Sequence, residues 1–179
     1  VNLSKKLNSS TSIVPVLGTI SNKTFIETTI RDFKIDTIYH AAAYKHVTLL
    51  ESNIKEGILN NIFGTYNVVN TAVKQNIENF ILISTDKAVR PTSVMGATKR
   101  ITELITQGLF LKLEAERKKG KKTTRFAIVR FGNVLGSSGS VIPLFQKQIE
   151  TGGPMTITHP EVNRYVMTIS EATQQVLQA

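Results

Sequence analysis

An acid and a base stand side by side at Asp86-Lys87, directly after the apolar run Phe80-Ile81-Leu82-Ile83 and two hydroxyls, Ser84 and Thr85. Such a run predicts a buried strand over 80–83. In open α/β sheets ligands bind at the carboxyl ends of strands, so these groups are delivered to where a substrate can meet them. Arg90-Pro91-Thr92-Ser93 then breaks the chain, and a helical pattern resumes near Val94. On that helix Met95 and Lys99 are four apart and share one face. In isolation an Asp-Lys neighbour pair is a polar turn with solvated charges, and such pairs contribute little. Its surroundings decide which reading applies.

The elements that must position these groups alternate along the chain. A short apolar run over 13–17 ends at Gly18-Thr19-Ile20, and residues 24–33 read as a helix with Phe25, Ile26, Ile30 and Phe33 on its apolar face. A strand over 37–40 enters Ala41-Ala42-Ala43, small residues that suit tight packing or the close approach of a bound molecule. Ile54, Ile58, Ile62, Thr65, Val69 and Ala72 form one helical stripe, which Asn76 can stop. A helix over 94–116, strands over 126–131 and 155–158, and a helix from near Ser170 complete the pattern. This βαβα rhythm predicts an α/β fold with a parallel sheet and right-handed crossovers.

At 179 residues, with 41% hydrophobic and 20% charged residues, the chain can build a single globular core. It has no cysteine, which excludes a disulfide framework and thiolate-bound metal. His40 and His46 have no partners at metal-ligand spacing. The apolar runs fall short of the roughly 18 residues that a membrane span needs. The net charge of +9 is partly local to Arg117-Lys118-Lys119-Gly120-Lys121-Lys122, which reads as a solvated surface loop. Anionic lipid headgroups are the second partner to consider. Nucleic acid ranks below them, since no aromatic residue interleaves the run.

Residues 84–99, with His40-Ala41-Ala42-Ala43-Tyr44-Lys45-His46 and residues 129–140, resemble the nucleotide-sugar branch of the extended short-chain dehydrogenases/reductases. The closest resemblance is to the CapD-like UDP-N-acetylglucosamine 4,6-dehydratases of polysaccharide biosynthesis, and it covers roughly residues 14–170. In that family Thr-Asp-Lys follows the fifth strand and Tyr-x-x-x-Lys lies on the next helix. Met95 stands at the tyrosine position, as in the larger, membrane-bound members.

The resemblance implies a Rossmann-like sheet flanked by helices, with a partial NAD(P)-binding domain over 1–135 and the start of a nucleotide-sugar region over 136–179. No Gly-x-Gly-x-x-Gly occurs in the sequence, so the first two strands and their phosphate loop are expected upstream of Val1. The strand over 13–17 would then lack its neighbours, and the strand over 37–40 would have one open edge. The chain is expected to be a piece of a longer protein and inactive by itself.

By the same resemblance Thr85, Asp86, Lys87 and Lys99 are catalytic, with Met95 beside them. Thr19, Ile20, Ala41, Ala42, Ala43, Lys45, Asn61, Ser84, Lys99, Phe131 and Gly132 border a tightly bound, recycled NAD or NADP. Lys45, His46, Asn133, Val141 and Arg164 meet a UDP-sugar, with backbone donors of the loop over 136–140 on its diphosphate. His40 is expected to be structural and His159 a turn residue. A homo-oligomer is implied, cytoplasmic and belonging to an inner-membrane protein.

The reaction implied removes hydride from carbon 4, eliminates water across carbons 5 and 6, and returns hydride to carbon 6. Lys87 and Asp86 match the base and acid of the elimination, and both must leave their ordinary values of about 10.4 and 3.9. A thioether cannot carry a proton, so the tyrosine's task at Met95 falls to another group or the chain is inactive. Thr85, Asp86 or a water held by Lys99 are the choices. A 4-epimerase or reductase, and a catalytically silent nucleotide-sugar-binding domain, are the alternatives.

Overall fold

A computed structural model describes residues 12–136, 141–157, 161 and 165–179. Its first helix, α1 (Lys23–Asp32), is capped by Asn22, whose side chain accepts from the Phe25 amide at 3.0 Å. β1 (Thr37–His40) leads through residues 41–46 to two short helices, α2 (Val47–Ser52) and α3 (Ile54–Gly57). A π-helical stretch, Ile58–Gly64, runs into α4 (Thr65–Lys74). β2 (Asn79–Thr85), a 3₁₀ turn (Asp86–Ala88), the long α5 (Val94–Arg117) and β3 (Arg125–Phe131) follow. Beyond them lie β4 (Asn133–Val134), α6 (Val141–Glu150), β5 (Val166–Met167) and α7 (Ile169–Leu177).

Among the described residues the main sheet is parallel with order β1-β2-β3, as the alternating pattern predicts. β2 is its centre, and Phe80, Ile81 and Leu82 are all buried, which explains an apolar run without alternation. Phe80 and Leu82 join Ile30, Val68, Val69, Ala72 and Ile77 in the core. Asn76 ends α4 with φ 55°, and the Ile77 amide turns back to the Ala72 carbonyl at 2.9 Å. That left-handed stop folds β2 back against the helix.

Four expectations are corrected. Residues 13–17 form no strand: no described strand pairs with them, and Leu17 is 99% exposed. Residues 155–157 form none either, because Gln148 Oε1 accepts from the Thr156 amide at 3.1 Å and Gln148 Nε2 donates to the Thr156 hydroxyl at 2.8 Å. Thr158 lies outside the described residues. Phe33 caps α1 and is exposed, leaving Ile30 as that helix's buried residue.

The stripe from Ile54 to Ala72 is not one regular helix. Ile54 faces solvent, and the buried positions of its first half are Gly57, Asn61 and Gly64. A Cβ on Gly57 would stand 2.6 Å from Leu50, and one on Gly64 would stand 2.6 Å from Ile20. Small residues admit these neighbours, and the wider π turn carries the register from this face to the α4 face of Val68, Val69 and Ala72. β4 pairs with β5 in parallel, an element no local pattern announces.

Candidate active site

The carboxyl ends of β1, β2 and β3 open on one cavity of about 440 Å³. Ala41, Ala43, Lys45 and His46 line it after β1, with Ser84, Thr85 and Lys87 after β2. Phe131, Gly132 and Asn133 border it after β3, while α5 contributes Met95 and Lys99. Twelve of the residues expected in the site are thus brought together at the sheet's ligand-binding end. α5 points into it because Ser93 caps the helix, accepting from the Gly96 amide at 3.2 Å.

Lys87 is held from two sides: its Nζ donates to Asp86 Oδ1 and to Asn133 Oδ1, each at 2.9 Å. The Thr85 hydroxyl donates to the same Asp86 oxygen at 2.9 Å. Burial pushes the Asp86 carboxyl up, but hydrogen bonds from Lys87 and Thr85 outweigh it and hold the group below its usual range. Asp86 is therefore a carboxylate at neutral pH. Asn133 meets Lys87 through its carbonyl oxygen, so its amide NH₂ can still donate to a ligand.

Lys99 is buried and donates from Nζ to the Ile83 carbonyl at 2.6 Å. Burial lowers its pKa to about 8, with the Glu103 charge opposing. The folded value lies below the ordinary 10.5, so the unfolded chain binds the proton more tightly between those limits. Below pH 8 the buried ammonium costs about 3 kcal/mol, and this cost disappears as pH rises through the window from 8 to 10.5. The stability difference between wild type and Lys99→Met should move by that amount in favour of the wild type between pH 7 and 10.5. Chemical denaturation across that range measures it, and a difference flat in pH overturns it.

Asn61, buried in the π-helical stretch, accepts from the Tyr44 amide at 2.8 Å and donates to the Tyr44 carbonyl at 3.0 Å. It also donates to Thr98 on α5 at 3.1 Å. It therefore holds the 41–46 wall from behind instead of lining the cavity. His40 is buried, with Nε2 2.8 Å from the Thr65 hydroxyl. Burial and then the Lys99 charge lower its pKa to about 4, so it is neutral and packs beside Phe80.

Not every expected residue reaches the cavity. Thr19 sits in an exposed turn, Ile20 packs on the core against Gly64, and Ala42 faces outward. Asp86 stands behind Lys87 and does not form part of the wall. The Val141 side chain, Arg164, residues 137–140 and His159 lie outside the described residues. Tyr44, Val47, Ile83 and Val134 also line the cavity, each a chain neighbour of a residue expected there. The basic run lies on the surface as expected, with Lys118 paired to Glu114 and Lys121 to Glu116.

Among the described residues no helix is long and apolar enough to cross a membrane. The family model described as polysaccharide biosynthesis protein matches residues 2–179. CapD, the capsular polysaccharide biosynthesis protein of Staphylococcus aureus, is 52% identical over 99% of this chain and 28% of its own length. An inverting UDP-N-acetylglucosamine 4,6-dehydratase of Campylobacter jejuni is 37% identical, over 90% of this chain and 46% of that protein. A UDP-glucose 4-epimerase of Rickettsia canadensis is also 37% identical, over 81% of this chain and 41% of that protein.

Among solved structures, Pen from Bacillus thuringiensis is 39% identical with a TM-score of 0.80, over 92% of this chain and 48% of that one. DesIV of Streptomyces venezuelae, a dTDP-glucose 4,6-dehydratase with NAD bound, shares the fold at a TM-score of 0.73 and 21% identity, over 88% of this chain and 51% of that one. The chain spans about a quarter to a half of the length of these curated relatives. With a parallel sheet, a cavity at its carboxyl end and a family match across nearly every residue, the chain belongs to the polysaccharide biosynthesis protein family and has the short-chain dehydrogenase/reductase fold.

Proposed function

We propose that this site belongs to a nucleotide-sugar 4,6-dehydratase acting on UDP-N-acetylglucosamine. The observation that carries the reading is the Thr85–Asp86–Lys87 chain of hydrogen bonds at the cavity, with both Thr85 and Lys87 on one Asp86 oxygen. A dehydration needs a proton acceptor and a proton donor within reach of adjacent carbons, and this chain supplies both. NAD or NADP is the cofactor of the reading, and when bound it would take hydride from carbon 4 and return it to carbon 6. The small side chains of Ala41 and Ala43 on the cavity wall, and Lys99 fixed on the Ile83 carbonyl, support a place for its nicotinamide end.

The proton traffic closes without a tyrosine. Thr85 passes the carbon-4 hydroxyl proton along its hydrogen bond to the Asp86 carboxylate, which is ionised and therefore has an oxygen to receive it. Asp86, now protonated, donates to the departing carbon-6 hydroxyl, which leaves as water. Lys87 is the base that takes the carbon-5 proton and gives it back to carbon 5 when hydride arrives at carbon 6. Met95 packs in the cavity and moves no proton. Asn133, anchored to Lys87, directs its amide toward the sugar phosphates together with Lys45, His46 and Arg164.

On this reading the residues from 136 onward begin the nucleotide-sugar region, and the site works in the cytoplasm on a protein anchored at the inner membrane. A homo-oligomer belongs to the same reading. A 4-epimerase remains the second reading, favoured by the Rickettsia relative. Incubating the intact protein with UDP-N-acetylglucosamine and either cofactor separates them. A 4-keto-6-deoxy product supports dehydration. A product epimeric at carbon 4 with no loss of water supports the second reading, and unchanged sugar points to a silent binding domain.

A further inference from the structure

Behind the cavity wall, one turn of α5 beyond Lys99, lies a carboxylate that the reaction does not use. Glu103 is 1% exposed, yet four donors from three elements converge on it. Its Oε1 accepts from the Ser84 hydroxyl at 2.6 Å and from Arg130 Nε at 2.7 Å. Its Oε2 accepts from Arg130 Nη2 and from Arg100 Nη1 at 3.0 Å. These bonds fill the acceptor sites of a carboxylate. Burial pushes its pKa up, and the bonds from Arg130, Ser84 and Arg100 bring it down to about 2. It is ionised at every working pH and carries no proton.

We propose that Glu103 is a positioning residue that clamps the end of β2, and through Ser84 fixes where Thr85, Asp86 and Lys87 stand relative to Lys99. The proposal rests on the dehydratase reading of the site. α5 grips two consecutive residues of β2 from two consecutive turns: Lys99 holds the Ile83 carbonyl and Glu103 holds the Ser84 hydroxyl. Arg130 brings β3 into the same clamp, three residues before Asn133, which in turn holds Lys87. Ser84 is the next-to-last residue of β2, and the catalytic turn begins two residues on, at Asp86. A clamp at this point sets the direction in which three catalytic side chains depart. A fold held by packing alone has no need of a hydroxyl there. Burying a carboxylate is costly unless every acceptor is satisfied, and here each is.

The test uses Glu103→Gln, Ser84→Ala and the double variant in the intact protein. Each single variant should lower kcat for dehydration by about 10- to 100-fold, the scale of a misplaced reacting group, with KM for the sugar within about twofold. The double variant should be no slower than the slower single one, since both act through one bond. Amide hydrogen exchange should quicken at residues 84–88 in all three while the rest of the sheet keeps its protection. That readout needs no activity, so it tests the clamp even if the wild type proves not to be a dehydratase. Ser84→Ala with wild-type kcat and wild-type exchange overturns the proposal, as do multiplicative losses in the double variant. If Glu103→Gln fails to fold, Ser84→Ala alone decides.

Discussion

On the proposed dehydratase reading, Asp86→Asn and Lys87→Ala, each made in the intact protein, should lower dehydration of UDP-N-acetylglucosamine by about 10²–10⁴-fold, the scale of general acid–base catalysis. Both groups belong to one hydrogen-bonded unit, in which Lys87 Nζ and the Thr85 hydroxyl each lie 2.9 Å from Asp86 Oδ1. Removing the carboxylate removes the acceptor for the carbon-4 proton and the donor for the departing hydroxyl together. Removing the amine leaves the carbon-5 proton without a base. Asn at 86 keeps the shape, so nucleotide-sugar affinity should change little. The two variants should also be non-additive, the double being about as slow as the worse single one. Turnover near wild type in either variant, measured with saturating sugar, removes that residue from the mechanism.

How well the sequence reveals the site depends on the kind of signal each element gives. β2 and α5 are legible because a continuous apolar run and a Pro-Thr-Ser break followed by helical spacing are local features. Their positions put Thr85, Lys87, Met95 and Lys99 on one cavity, as the spacing alone implies. The stripe from Ile54 misleads because it counts apolar residues, whereas the face turned inward carries Gly57, Asn61 and Gly64. Close approach by Leu50 and Ile20 requires small residues there, and hydropathy does not register that.

Glu103 escapes the sequence for a related reason. The buried face of α5 reads Met95, Thr98, Lys99, Thr102, Glu103 and Thr106, nearly all polar, so no apolar stripe marks it. The signal available is the four-residue spacing from Lys99 to Glu103, which places both on one side of the helix. Asp86 shows a different gap. The chemistry demands a departure from its ordinary value, but its direction depends on which neighbours are close enough to win, and only the folded chain decides that. The β4–β5 pair joins two-residue strands far apart in the chain, with no local periodicity to announce it.

Two glycines on α5 should respond oppositely to the same substitution. A Cβ on Gly96 would collide with the Lys87 carbonyl oxygen, nearer than real Cβ atoms come, and would stand a tight 3.2 Å from Pro91 Cβ. The helix cannot yield easily, since Lys99 is fixed on Ile83 and Glu103 on Ser84. The 3₁₀ turn Asp86–Ala88 must therefore move, and Lys87 moves with it. Gly96→Ala should cost about 1–3 kcal/mol of stability, the usual scale of overpacking. On the dehydratase reading it should also slow turnover by up to about 100-fold through misplacement of Lys87. Gly108 lies on the exposed side of the same helix, where an added Cβ would meet nothing within 4 Å. Gly108→Ala should instead stabilise by about 0.5–1 kcal/mol, because the unfolded chain loses freedom and the helix loses nothing. Turnover should be unchanged. Urea denaturation and kcat on the two variants in parallel decide the matter: equal gains in stability would mean that the catalytic turn does not rest on Gly96.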